Sequence, residues 1–308
     1  YSLRVKGISE VTNKSDKQKQ ISSLENGIEY STNLRDNLAV QIENTQIQLR
    51  NEEAMVKMDK LSQSELNKTR DKLTVLSSNL NATEAEVAYD LAASYRKLKL
   101  LKPAYDVLKI AIAADSGHLV LQQALLPIAN QLNKYSEVVT VGEKLLKNGA
   151  DANVLADVAK AYFFLKNYKR AITLYQMLEK TEMQTESTLY YTSLCFRELK
   201  NYDQAASYAK QTITEGISPN TAAYYNLLGS IYEEKQQFTA ASNAYKKGLT
   251  YQINKNSYYR LGLLYDLKLK QGKSALTYYN LYLKNKELDK DDEPQVEYIK
   301  GRISELKR

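Results

Sequence analysis

Tryptophan is absent from this 308-residue chain, and cysteine and histidine occur once each, as Cys195 and His118. A single cysteine excludes an intrachain disulfide framework and any cysteine-rich metal site. Proline (four) and glycine (11) are also scarce. Sheets need frequent Gly, Pro and Asn-Gly turns, so the scarcity points to a chain that is nearly all helix. No run of about 18 apolar residues occurs, so no segment of the sequence is suited to spanning a membrane as a helix. A glycine-rich phosphate loop, HExxH and paired carboxylates on a strand are missing too. The Glu-Glu pairs at 52–53 and 233–234 are neighbours on helices and point apart, which rules them out as a metal pair. His118 stands in the turn Asp115-Ser116-Gly117-His118, where a capping role is expected. Cys195, beside Phe196, is expected to be a small buried hydrophobe. No catalytic, cofactor-binding or metal-ligating residue is therefore expected, and the chain is read as a non-enzyme.

Tyrosine is what the chain has in excess, with 25 residues against four phenylalanines. Apolar residues make up 43% of it, ample for a core, and the formal charge is +7. Residues 1–84 balance at 12 basic and 12 acidic side chains. The excess, 31 against 24, is spread through 85–308. Charge without clustering weighs against nucleic acid as a partner. The chain begins at Tyr1 without Met, which points to processing or trimming. Its richness in Lys, Asn and Tyr resembles that of proteins from low-GC bacteria. An exported, periplasmic location is expected on that ground, with the cytoplasm as the alternative.

From about Asp16 the pattern is that of a coiled coil. With Ile21 as position a, the a and d sites run Ile21, Leu24, Ile28, Ser31, Arg35, Leu38, Ile42, Thr45 and Leu49. Leu66, Leu73 and Leu80 later recur at a spacing of seven, and the phase is lost between them. Ser62 with Glu65 predicts a new helix start there, so residues 1–82 read as a helical hairpin or as a coiled coil made with a second chain through residues 16–80. Thr83 with Glu86 predicts the next start.

Residues 222–248 carry the clearest signal. Tyr225, Leu228, Gly229 and Tyr232 share one helical face; after a turn at Gln236-Gln237, Phe238, Ala241, Tyr245 and Gly248 repeat the spacing. Small residues stand where two helices must approach, and aromatics fill the space around them. The segment resembles one tetratricopeptide repeat, and units in the same phase begin near 85, 119, 152, 186, 222 and 255. The second unit is degenerate, with Pro127 inside its first helix. The sixth has one extra residue in its turn, and Tyr282 at a normally small position predicts looser packing there. Gly149 and Gly216 read as helix C-terminal glycines, and Ser218-Pro219 as an N-cap and first helical residue. A final amphipathic helix opening at Asp292-Glu293-Pro294, with Val296, Ile299 and Ile303 on one side, is expected to cap the array over residues 290–308.

The resemblance implies an all-α solenoid of about six helix pairs over residues 83–289, wound as a right-handed superhelix. It further implies that first helices line a concave groove through their second, fifth, ninth, twelfth and thirteenth positions. Those positions hold Glu86, Tyr89, Arg96, Lys97, Gln123, Asn130, Gln131, Asn153, Lys160, Phe163, Phe164, Tyr190, Arg197, Glu198, Asn226, Glu233, Glu234, Tyr259 and Asp266. Arg96, Lys97, Lys160 and Arg197 are expected to meet peptide carboxylates, and Phe163 with Tyr190 to anchor an apolar side chain. The alternative is a solvated inner face on which Phe163 or Phe164 packs against its neighbour. The Lys, Asn and Arg arrangement with which chaperone-binding members clamp a C-terminal carboxylate is not matched. A scaffold for a protein or peptide partner is the leading reading. A structural subunit of a larger complex, with membrane association as an option, held by its convex face and N-terminal helices, is the second. A basic helical-repeat RNA binder is the third.

Overall fold

The computed structural model describes residues 29–30, 33–55, 63–97, 99–149, 151–215, 218–285, 288 and 290–307. Every regular element among the described residues is helical. By contact density the chain divides into two units, Tyr1–Asp157 and Val158–Arg308.

In the first unit, helix α1 covers 33–55 and α2 Gln63–Lys97. Arg70 on α2 pairs with Glu53 on α1 at 2.9 Å, and Arg35 lines a cleft with Glu84, Ala85 and Ala88. The two sequence numbers add to a near-constant value at both places, so the helices run antiparallel. Leu38 and Thr45 on α1 and Leu66 and Leu76 on α2 are buried, whereas Arg35 is exposed and bonded to Asp36. Of the expected seam positions in the described stretch, Leu38, Thr45 and Leu66 are buried, Ile42, Leu49, Leu73 and Leu80 are half-buried and Arg35 is exposed; Ile21, Leu24, Ile28, Ser31 and the start at Ser62 lie outside it. The helix start expected at Thr83 is corrected. Thr83 Oγ1 donates to the Asn79 carbonyl at 2.9 Å inside α2, because with no Gly or Pro nearby the hydroxyl bonds back along a continuous ladder instead of capping. Helices α3 (Leu101–Ala114), α4 (Leu119–Gln131) and α5 (Tyr135–Asn148) follow. Ala92, Ala104, Leu108, Leu125, Leu126 and Ala129 are buried in this unit. Pro127 is accommodated within α4, and His118 is its N-cap, Nδ1 accepting from the Leu121 amide at 3.4 Å.

Helix α6 (Ala152–Phe164) crosses the division between the units. The second unit continues with α7 (Tyr168–Lys180), α8 (Glu186–Glu198), α9 (Tyr202–Thr214), α10 (Thr221–Glu234) and α11 (Phe238–Leu249). Then come α12 (Lys255–Leu263), α13 (Gly272–Leu283) and α14 (Glu293–Leu306). These starts fall at or within one residue of the positions expected from 119 onward. The α10 cap differs: Asn220 is the N-cap, and Ser218 and Thr221 form a hydrogen-bonded turn before it. Gly149 stands at the C-cap of α5 with φ 150°, and Gly216 lies outside the described residues.

One turn recurs within every pair. Lys99, Asn133, Lys166, Lys200, Gln236 and Lys270 all have positive φ, between 54° and 61°. At the first five the next amide reaches back five residues, as in Gln237 to the Tyr232 carbonyl at 2.8 Å, which satisfies a helix-end carbonyl and reverses the chain. In the sixth pair Gln271 reaches back six, to Tyr265 at 2.8 Å, after a π-helical turn at Leu264–Lys268. That turn absorbs the extra residue noted in the sequence.

The tyrosines close the pairs. Tyr245 lies over Gly229 and Tyr279 over Gly262, where a Cβ would come within 2.7 and 2.4 Å of ring carbons. Their hydroxyls donate to Glu233 and, at 3.0 Å, to Asp266. Tyr105 to Glu137 (2.6 Å) and Tyr208 to Glu179 (2.8 Å) instead tie the second helices of neighbouring pairs, α3 to α5 and α9 to α7. The loose packing expected at Tyr282 is corrected. Its ring, 1% exposed, packs 5.5 Å from that of Tyr259, and its hydroxyl donates to Asp292 at 3.2 Å, so the large side chain fills the space and its polar end is satisfied. Helix α14 seals this end: Ile299 is fully buried, with Val296 and Ile303 against the same cluster.

Candidate interaction surface

The first helices of successive pairs meet at a fixed register. At three of these junctions the twelfth residue from one expected start meets the sixth of the next first helix, and the side chains there decide what the junction is made of. In the first unit Asn130 Nδ2 donates to the Asp157 carbonyl at 3.0 Å and to its Oδ1 at 2.9 Å. In the second unit Phe163 meets Tyr191, ring centroids 5.2 Å apart and edge to face. Arg260 Nη1 lies 3.3 Å from Glu233 Oε1. At the α8–α10 step the equivalent residues are Arg197 and Leu227. Leu227 is buried and has no polar side-chain atom, so Arg197 instead pairs at 2.8 Å with Glu198, its own neighbour in sequence.

The aromatic junction extends sideways into a strip. Phe164 to Phe163 is 5.2 Å, Phe163 to Tyr191 5.2 Å, Tyr191 to Tyr190 5.6 Å and Tyr190 to Tyr224 5.2 Å, across α6, α8 and α10. The contacts are edge-to-face or tilted, the arrangement that ring quadrupoles favour. Phe164 keeps 41% of its surface exposed; Phe163, Tyr190 and Tyr191 are half-buried and Tyr224 is buried. Burial and the nearby Glu186 push the Tyr224 phenol up to about 12. Lys160 Nζ sits 5.5 Å from the Tyr191 centroid, a cation over a ring face.

Farther along α8 and α10 a cleft of about 430 Å³ is lined by Arg197, Glu198, Lys200, Tyr202, Ser230, Glu234 and Arg260. It has charges of both signs. Tyr202 donates weakly to Glu234 at 3.4 Å, and Glu233, which holds Arg260, also accepts from Tyr245.

The sequence-expected residues therefore part company. Lys160, Phe163, Phe164, Tyr190 and Arg197 fall together in the second unit. Tyr89, Arg96, Lys97 and Gln123 are exposed on α2 and α4 of the first. Asn130, expected as a groove residue, is 4% exposed and spent on Asp157. Asp266 is 5% exposed and held by Arg302 and Tyr279. Asn226 Oδ1 accepts from the Ser257 hydroxyl at 2.8 Å, and Tyr259 packs on Tyr282. Tyr191 and Tyr224 were not expected, because neither occupies one of the five groove positions the resemblance supplies. The doublets Tyr190-Tyr191 and Tyr224-Tyr225 were the available signal.

Cys195 is fully buried, and burial pushes its thiol up to about 12. Among the described residues no His, Cys, Asp and Glu side chains group as metal ligands would, and no helix is long and apolar enough to cross a membrane.

No protein-family model and no curated protein matches the chain. Solved structures do. The Cut9–Hcn1 hetero-tetramer of the APC/C is similar at TM-score 0.55 and 13% identity, over 84% of this chain and 52% of that one. Pseudomonas aeruginosa pilF is similar at 0.53 and 15%, over 67% and 95%. A MamA fragment from Desulfovibrio magneticus is similar at 0.50 and 17%, over 54% and 93%. At such identities the likeness is one of fold.

Proposed function

Given that this chain folds as a tetratricopeptide-repeat protein, we propose that it is a non-enzymatic scaffold holding a peptide segment of a partner protein on the face of α6, α8 and α10. The observation that carries this reading is the ring strip from Phe164 to Tyr224, left partly open beside Lys160. Partly open rings that touch one another across three helices form a contiguous apolar surface a ligand can cover. Rigid aromatic rings are also efficient anchors, offering large area at little cost in conformational entropy. Among the described residues Lys160 has no carboxylate partner, so its charge is available to a ligand.

A random peptide library displayed against the whole chain tests the reading. Enrichment of peptides with large apolar and acidic residues is expected, with loss in Phe164→Ala/Tyr191→Ala and weakening in Lys160→Glu. No enrichment over an unrelated helical protein would sink the idea. A salt-sensitive RNA mobility shift at comparable protein concentration would favour the RNA reading instead.

The structural-subunit reading draws on a different feature. A mostly apolar cleft of about 370 Å³ lies between α2, α3 and Arg35 of α1, and Ile110, which lines it, is 73% exposed. Release of the chain from a large assembly by Ile110→Asp, with the peptide selection unchanged, would favour that reading.

A further inference from the structure

The junction between α8 and α10 differs from its two neighbours in the second unit. Phe163–Tyr191 and Glu233–Arg260 each join like chemistry or opposite charge across the seam, whereas Arg197 stands level with the buried Leu227. Its one ion pair among the described residues is with Glu198, an exposed neighbour, and such pairs contribute little in water. Lys200, in the left-handed turn after α8, has no ion-pair partner among the described residues. Arg260 completes the set at 3.3 Å from Glu233, a long contact for a charge-assisted bond. The hydroxyls of Tyr202 and Ser230 share the cleft.

We infer that the cleft bounded by Arg197, Lys200 and Arg260 is an oxyanion subsite, taking the carboxylate or phosphate of a side chain on the same peptide that the ring strip holds. The inference rests on the peptide-binding reading above. Glu198 and Glu234 line the cleft as well, so the incoming group must displace Glu198 from Arg197, which the weakness of that exposed pair permits. Planar, two-pronged recognition by guanidinium groups suits both oxyanions.

The position of the subsite sets a register. Tyr190 and Arg197 lie seven residues apart on α8, two turns or about 10 Å at about 1.5 Å per residue. An extended peptide covers that span in three residues at about 3.3–3.6 Å each. The ligand pattern is therefore a large apolar side chain with an oxyanion three positions away.

The test uses fluorescent decapeptides with one fixed Phe and a single Asp walked from two to six positions along an otherwise Ser-Gly sequence, with a phosphoserine series in parallel. The full chain is expected to prefer spacing three over the other spacings by about tenfold. Arg197→Ala/Lys200→Ala should remove that preference while leaving affinity for the Phe-only peptide intact, with an unchanged thermal melt showing that the variant is folded. The series that binds more tightly identifies carboxylate or phosphate. Equal binding of all acidic spacings and of the Phe-only peptide overturns the subsite and leaves the scaffold reading standing. Failure of every Phe peptide to bind overturns both.

Discussion

Arg302 on α14 grips Asp266 on the last repeat with two nitrogens, Nη2 to Oδ1 at 2.8 Å and Nε to Oδ2 at 2.9 Å, while Tyr279 donates to the same carboxylate at 3.0 Å. The guanidinium beside it, with the phenol bond, holds the Asp266 carboxyl below the usual carboxylate range. Unfolded Asp titrates near about 3.9, so the pair favours the folded state above that pH, and the advantage is lost as pH falls through the lowered value. Urea midpoints measured from neutral pH downward should therefore drop more steeply below about pH 4 in the wild type than in Asp266→Asn. Parallel curves would mean that the pair does not couple α14 to the array.

Three helical glycines make an internally controlled stability test. At Gly229 and Gly262 an added methyl would strike Tyr245 and Tyr279; at Gly301, on α14, it would meet nothing within 4 Å. Ala at either of the first two is expected to cost about 1–3 kcal/mol, despite the better helix propensity, because the ring above has no room to withdraw. Gly301→Ala should instead stabilise by up to about 1 kcal/mol. Thermal melts of the three variants decide it; a common sign for all three would refute the packing account.

The left-handed turn residues offer the opposite change. Gln236 has φ 58° and Gln237 φ −90°. A side chain in the left-handed region costs about 1–2 kcal/mol, which glycine avoids. Gln236→Gly should raise the melting temperature and Gln237→Gly should not. If both lower it, the turn is held by the Gln236 side chain and not by backbone geometry.

Buried ionisable groups give two alkaline signatures. Burial, with neighbouring Glu137, Glu179 and Glu186, pushes Tyr105, Tyr208 and Tyr224 up to about 12. Tyrosine raised in the folded state contributes stability below about pH 10, and that contribution disappears as pH climbs through about 12. Ultraviolet titration should show a late-ionising class of phenols that merges with the rest in urea. Cys195 should likewise resist a thiol reagent at mildly alkaline pH until the chain unfolds. Rapid labelling of the native protein would contradict its burial.

How much of this was legible in advance follows from the range of the forces involved. Helix pairing, the starts of α4, α6, α8, α10 and α12, and the glycine-over-tyrosine contacts follow from spacings of three, four and about 34 residues, which are local and periodic. Thr83 misled because a capping residue and a back-bonding one look alike in sequence; only the uninterrupted ladder of α2 distinguishes them. Tyr282 misled because a position rule assumes a small partner, whereas here Tyr259 and Asp292 had already shaped a space for a ring and its hydroxyl.

The sequence alone therefore determined an all-helical repeat protein with tyrosine as its filling, since periodicity is written residue by residue. Which charges are held across helices was decided only by tertiary packing. Asn130 and Asp266 are consumed by partners 27 and 36 residues away, while Arg197 pairs with Glu198 beside it. Pairing across such distances depends on how one helix lies against the next, and no local pattern encodes it.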